Sequence, residues 1–381
     1  MNKKSTLIII LGLMAFLANG DTYAVSSLMG SIAHDLNIEQ TMAARSVTSY
    51  MMAFGAFTLF FGPLSDRFGK ANIINIAAIG TSIFSILGGF AWDLNSLIAF
   101  RSINGMFGAG ILPVTMSLIG DSFDYKERQG ALAKVMGLAF FGTATATAIG
   151  GSISFFSSWR FVYIFYGILE LILSVLMLKI LKRDKPKVDS LNLIKTYKIA
   201  LSNKSLVLVV FNLFFVGFAV LGSFAYTGMM FSERTGLNTL VVGLLLSSFG
   251  VGTVLGSKVA PIYKARFPQN FILASGLTGF VAYMFFSLVG NVIVMMLGLL
   301  LFGMSFIIIQ STIVANAQGR LPSMKGTAMS MASFFMFTGG ATGSHINSMI
   351  INSVGIKYTF IISAILFVLI SMVANVFVKR K

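Results

Sequence analysis

Asp21 is a lone carboxylate deep in the apolar run TLIIILGLMAFLANGDTYAVSSLM, which begins at Thr6. An ionisable group at such a depth in hydrocarbon costs about 2.5 to 3.5 kcal/mol even on lenient insertion scales, so a functional role is its first explanation. The chemistry open to it is proton or cation handling. Three more ionisable side chains interrupt apolar stretches: Arg101 in AFRSINGMFGAG, Glu170 in FYGILELIL and His345 in TGGATGSHINS. A buried arginine keeps its charge and must find acceptors. Glu170 suits coupling or cation recognition, or else an interhelical hydrogen bond or a lipid-facing position. His345 titrates in the range a proton carrier needs, although a hydrogen-bonded packing histidine is the commoner case.

The elements that position these groups must be membrane-spanning helices. Of 381 residues, 56% are hydrophobic and only 10% charged, and the mean hydropathy is +0.87. One soluble core of this size needs far less apolar material. Runs of about 20 apolar residues predict twelve spans, near residues 6–29, 43–63, 72–91, 95–118, 130–154, 160–181, 206–231, 237–257, 270–289, 291–316, 327–352 and 356–378. The expected fold is all-α and polytopic, with two pseudo-symmetric six-helix bundles at 1–181 and 206–381. Residues 182–205 form a cytoplasmic linker in which Leu191, Leu193, Ile194 and Tyr197 among lysines suggest a short helix on the inner membrane surface.

The net charge of +16 follows topology. With the N-terminus inside, Lys3, Lys4, Arg67, Lys70, Lys126, Arg128, Lys134, the basic run from Lys179 to Lys204, Lys258, Lys264, Arg266, Arg320, Lys325 and the terminal Lys379, Arg380 and Lys381 all fall on the inner side. Arg45, Arg160, Arg234 and Lys357 remain for the outer side. That asymmetry predicts both termini in the cytoplasm and contact with anionic lipid, with no call for a nucleic-acid partner. The opening MNKKSTLIIILGLMAFLANG mimics a secretory signal, but cleavage would leave an odd number of spans and misplace every later basic loop, so the helix is expected to stay. There is no cysteine, which excludes disulfides and thiolate metal sites. No metal or cofactor is expected, and no phosphate-binding loop is present.

One motif repeats weakly across the halves. GPLSDRFGK, from Gly62 to Lys70, follows the second span, and GSKVAPIYKAR, from Gly256 to Arg266, follows the eighth, with Ala260 standing where Asp66 would be. The simplest reading of the first copy is a tight, positively charged inside turn. In the fourth span, Arg101, Asn104, Gly105 and Gly108 share one helical face, expected to meet a single neighbour. In the fifth span, MGLAFFGTATATAIGGSI, Gly142, Gly150 and Gly151 offer close helix packing.

Together these features resemble the major facilitator superfamily, most closely its bacterial drug/proton antiporter branch. Gly62, Leu64, Asp66, Arg67, Gly69 and Lys70 match the family's loop signature between the second and third spans. The resemblance implies a latch there, with Asp66 meeting a helix end or a basic side chain to close the inner gate. Arg101 and its glycines resemble the fourth-span motif, with Asn104 in place of glutamine and Phe107 in place of glycine. The fifth span keeps the glycines of the antiporter motif, but Ala146 and Thr147 occupy its Gly-Pro positions, which weakens the inference to export more than that to fold.

At 1.5 Å per residue, Asp21 lies roughly 24 Å along the first span from the inside and Arg101 roughly 9 Å down the fourth from the outside. Both land in the outer half, and by family analogy both spans line the central cavity. Their pairing is expected, either as a static structural pair or as a site whose proton affinity changes when rocking alters their separation. Tyr50, Asn212, Tyr226 and Gln310, with Asn104, are the candidate substrate contacts, each alternatively interhelical glue. The 37 phenylalanines and 22 methionines lean toward a lipophilic substrate.

The expectation is a proton-coupled secondary transporter of the bacterial cytoplasmic membrane, exporting small organic compounds and working as a monomer. The rivals are a solute-specific transporter for a sugar, nucleoside, metabolite or lipid, and a membrane sensor or intramembrane enzyme. A sensor needs an output domain and an enzyme a cluster of nucleophile, base or metal ligands, and neither is visible.

Overall fold

The computed structural model describes residues 3–181 and 193–379. Among them there is no strand. Eleven helices are long and apolar enough to cross a membrane: Lys4–Ser27, Gln40–Phe68, Lys70–Gly89, Leu94–Ser122, Gly130–Phe156, Trp159–Ile180, Lys204–Thr235, Thr239–Arg266, Phe271–Leu288, Val292–Arg320 and Ile356–Val376. A further 30-residue helix, Lys325–Val354, falls eleventh in chain order. It is less apolar because its middle carries TGGATGS, whose Gly339 and Gly343 sit against the backbone of the seventh span at Phe214 and Phe218. Spans are numbered below in chain order, first to twelfth.

The pairings within each half repeat. The first span packs on the fifth, the second on the fourth and the third on the sixth, and likewise the seventh on the eleventh, the eighth on the tenth and the ninth on the twelfth. The halves meet where the second span packs on the eleventh and the fifth on the eighth.

Several spans depart from the unbroken rods expected. The first gives way to a 3-10 turn at Val25–Ser27. The seventh breaks between Lys204–Phe224 and Thr227–Thr235. The fourth divides into Leu94–Gly108 and Ile111–Ser122, a break followed by Pro113, which has no N–H for the carbonyl one turn back. Conversely, the segment from Gly62 expected to turn is helical as far as Phe68, with Pro63 inside the helix. Only Gly69 makes the turn, at φ 87°, a backbone conformation that glycine takes without penalty.

Pro63 cannot donate to the carbonyl of Leu59, one turn earlier. That orphan is satisfied from elsewhere: the Tyr197 hydroxyl donates to Leu59 O at 2.6 Å. Tyr197 belongs to the surface helix Leu193–Ser202, and Leu191 lies outside the described residues. The helix is also held to the second half, where Asn203 Nδ2 donates to Arg320 O at 2.9 Å. On its outer face Ile194 is exposed, whereas Ala200 is buried.

Candidate functional site

The first span carries Asp21 inward, to 2% exposure, and the fourth span carries Arg101 to full burial. Arg101 Nη1 donates to Asp21 Oδ2 at 3.0 Å and to Asn104 Oδ1 at 3.0 Å. Asn104 in turn donates to the carbonyl of Thr81, on the third span, at 2.9 Å. Gly105 lies against the Tyr50 backbone of the second span, where a Cβ would collide with the Tyr50 carbonyl. The shared face of the fourth span therefore serves three neighbours, the first, second and third spans, because the residues fan across roughly 100° of the helix circumference and long side chains reach past its edges. A single neighbour is too narrow an expectation.

The guanidinium is sandwiched between rings, 4.4 Å from the Tyr50 centroid and 5.2 Å from that of Tyr163. Cation–π attraction adds to the ion pair where water is excluded. Glu170, on the sixth span, is fully buried and within Coulombic reach of both Asp21 and Arg101. Neither of its carboxyl oxygens has a hydrogen-bond partner, nor do Asp21 Oδ1, Arg101 Nε and Nη2, or the hydroxyls of Tyr163 and Tyr166. One carboxylate thus pairs with the guanidinium and a second stands unpaired within Coulombic reach, in a pocket with donors and acceptors to spare, a composition able to take up and release a proton.

A cavity of about 330 Å³ lies on the other side of Tyr50, lined by both halves, and Tyr50 and Gln310 are in its wall. Tyr50 shares a hydrogen bond with Thr22 at 2.6 Å. Thr22 is the chain neighbour of Asp21, so one tyrosine touches both the ion site and the cavity. Gln310 Nε2 has a sulfur contact with Met336 at 3.4 Å, and Phe54 and Phe337 stack at 4.0 Å across the second and eleventh spans. The lining runs from Tyr23 to Gln318 and Met329, residues near the connection between the tenth and eleventh spans, on the face that carries the N-terminus. At the opposite end the halves touch. A Cβ at Gly243 would meet the Thr147 carbonyl, one at Gly228 the Ser26 carbonyl, and one at Gly151 would lie 2.7 Å from Thr239 O.

The remaining sequence candidates fall elsewhere. Asn104 acts behind the ion pair and does not line the cavity. Asn212 donates to Leu208 of its own helix at 2.7 Å, and Tyr226 donates to the Ser344 carbonyl at 2.9 Å. His345 is exposed on the eleventh span, apart from the Asp21 and Arg101 group. In the second-to-third turn, buried Lys70 pairs with Asp121 and reaches Asp66 at 3.6 Å. Arg67 stacks on Phe68 at 5.1 Å, and Gly62 faces Ser330 of the eleventh span. Gly142 and Gly150 fit against the first span, at Phe16 and Ala24, while Gly151 faces the eighth. Sequence reasoning did not single out Asn19, whose amide bonds to the Ala139 carbonyl at 3.0 Å and Thr143 at 3.2 Å, nor Thr22. Both stand with Tyr23 at helical spacing on one face of the first span, a signal that was available.

A profile of the Major Facilitator Superfamily matches residues 11–344. The chain belongs to this superfamily. Its members are transporters, and this is a multi-pass membrane transporter rather than an enzyme. Over 374 residues the superfamily chain is 26% identical to a bicyclomycin resistance protein homolog of Haemophilus influenzae, covering 91% of this chain and 90% of that one. It is 28% identical over 166 residues to a puromycin resistance protein of Streptomyces alboniger, covering 43% of this chain. That match spans about a third of the Streptomyces protein's length, 33%. The fold superposes on a bacterial homolog of the human lysosomal transporter Spinster, in an inward-facing, unoccupied crystal structure, with a TM-score of 0.78 at 14% identity over 100% of this chain and 98% of that one.

Proposed function

We propose that this transporter exports small organic compounds in exchange for protons, with Asp21 and Glu170 as the proton site and Arg101 as its fixed counter-charge. The observation that carries the reading is the buried group itself: two carboxylates within reach of one guanidinium, linked by 3.0 Å from Arg101 to Asp21, with Glu170 lacking any donor. An isolated buried anion is far costlier than its neutral acid. One proton shared between the carboxylates leaves the site neutral, and losing it leaves a net negative charge that a changed geometry must accommodate.

Tyr50 transmits that change. A substrate pressing on its ring alters the packing over Arg101, and its hydroxyl bond to Thr22 links it to the residue beside Asp21. Rocking of the halves then follows alternating access. The arrangement described is open toward the terminal face, which the basic residues assign to the cytoplasm, with the glycine contacts closing the outer side. In this state the Asp66 carboxylate reaches Lys70, four residues on, at 3.6 Å, a contact inside the first half that does not bridge the two halves. Resistance to bicyclomycin and puromycin in the names of two relatives favours export.

The test is transport by the purified protein in liposomes, with substrate-induced proton release followed for wild type, Asp21→Asn and Glu170→Gln. Coupling is expected to vanish in both variants while substrate binding persists. Full proton release from Asp21→Asn would overturn the assignment.

A further inference from the structure

We infer that the cavity selects uncharged, amphipathic aromatic compounds bearing an amide-like polar group and discriminates against organic cations. The inference rests on the transporter reading above and names the substrate class of the same site. No described residue lining the cavity is charged. Asp21 and Glu170 are absent from the lining, and Asp21 is already engaged by Arg101 at 3.0 Å. A cation entering the cavity would give up hydration with no carboxylate to meet it.

The aromatic wall does not replace a counter-ion. Of its rings, Tyr50 has one face over Arg101, at 4.4 Å, and Phe54 and Phe337 cover each other at 4.0 Å. Cation–π attraction to the rest recovers only part of the lost hydration. With one proton on its carboxylates the buried group behind the Tyr50 ring is neutral, its Arg101 and Asp21 charges spent on each other, so it offers an entering cation no counter-charge on that side. For a neutral ligand the same surfaces are favourable. Flat apolar area meets Phe and Met side chains, which adapt to shape. Gln310, whose amide nitrogen meets the Met336 sulfur at 3.4 Å and has a second N–H to give, offers a donor, and Asn19, whose nitrogen is committed to Ala139 and Thr143, offers its carbonyl oxygen.

The probe is an isosteric pair, N-(1-naphthylmethyl)acetamide and the (1-naphthylmethyl)trimethylammonium ion, in equilibrium binding to the purified full chain in lipid nanodiscs. The neutral member is expected to bind saturably, with the cation weaker on the order of tenfold or more, the scale set by one uncompensated charge in a partly wet site. Gln310→Ala should weaken the amide, and Asn19→Asp or, independently, Gln310→Glu should raise affinity for the cation by a similar factor. Equal or tighter binding of the cation to wild type would overturn the inference, as would failure of both members to bind. Binding at equilibrium needs no proton gradient. Preference for the neutral probe without proton-driven flux therefore defeats the exchange mechanism and leaves the selectivity standing, whereas proton release triggered by the cation alone does the reverse.

Discussion

A double-mutant cycle across Asp21 and Arg101 tests the buried charge group most directly. Arg101 is wholly buried, and its two hydrogen bonds, to Asp21 and Asn104, both leave from Nη1. Asp21→Asn strands the guanidinium with amide oxygens and ring faces. Breaking a buried pair from one side costs about 3–5 kcal/mol, and the lower end applies because Glu170 remains within Coulombic reach. Arg101→Gln is milder, about 2 kcal/mol, since the orphaned carboxylate can carry a proton. The double variant, with both charges gone, should be no worse than the milder single, which gives a coupling of about 3 kcal/mol or more. Denaturant unfolding in detergent micelles can be followed through Trp92 and Trp159, the two tryptophans of the chain, both in the half that holds the pair. Simple additivity of the two single losses would refute the reasoning, because independent sites do not rescue each other.

Tyr197→Phe should cost about 0.5–1.5 kcal/mol, the worth of an ordinary hydrogen bond, but nothing in a Pro63→Ala background, where residue 63 recovers an N–H for Leu59; thermal stability of the four proteins decides it. Gly243→Val, forced against the Thr147 carbonyl, should destabilise the outer-closed state by about 1–3 kcal/mol, seen as faster maleimide labelling of a cysteine placed at Thr147, the chain having none of its own. At the end of the bundle opposite the termini, Asp35 bonds Arg160 and accepts from the Trp159 indole at 3.1 Å. The Arg160 bond, helped by Trp159, holds its carboxyl below the usual carboxylate range, so its stabilisation is complete above the ordinary carboxylate value and lost as pH falls through the lowered one. Asp35→Asn should accordingly quicken hydrogen exchange at the Trp159 indole at pH 7 and make no difference in strong acid; equal exchange at pH 7 would refute this. Asp93→Ala removes a capping box from the fourth span and should cost about 0.5–2 kcal/mol, measured as a fall in unfolding midpoint.

The Asp21 and Arg101 encounter was legible because helical rise and the parity of spans fix depth without any knowledge of side-chain contacts. The fold was legible for the same reason, since apolar length and basic-residue placement carry it. What helical spacing does not carry is rotation. His345 sits in TGGATGSHINS, where small and polar residues fall on most sides of the helix, so no face is marked as the inner one, and the structure exposes it. Asn104 stood one turn from Arg101 and read as a cavity residue, yet its side chain is spent on the Thr81 carbonyl. Tyr163 and Tyr166 lay unnoticed because aromatics are common in lipid-facing spans. The helix through Pro63 was hidden because the hydroxyl that makes proline tolerable there lies 138 positions in sequence from the Leu59 carbonyl it satisfies.

That hydroxyl has a consequence for how the two halves are joined. Helix Leu193–Ser202 lies in the linker and bonds to the first half at Leu59, while Asn203, the residue after it, bonds to the second at Arg320. The covalent link between halves through residues 182–192 is thus duplicated by a non-covalent one. The gene could be divided within that stretch and its two fragments co-expressed, and the second would arrive already carrying the peg that fits the first.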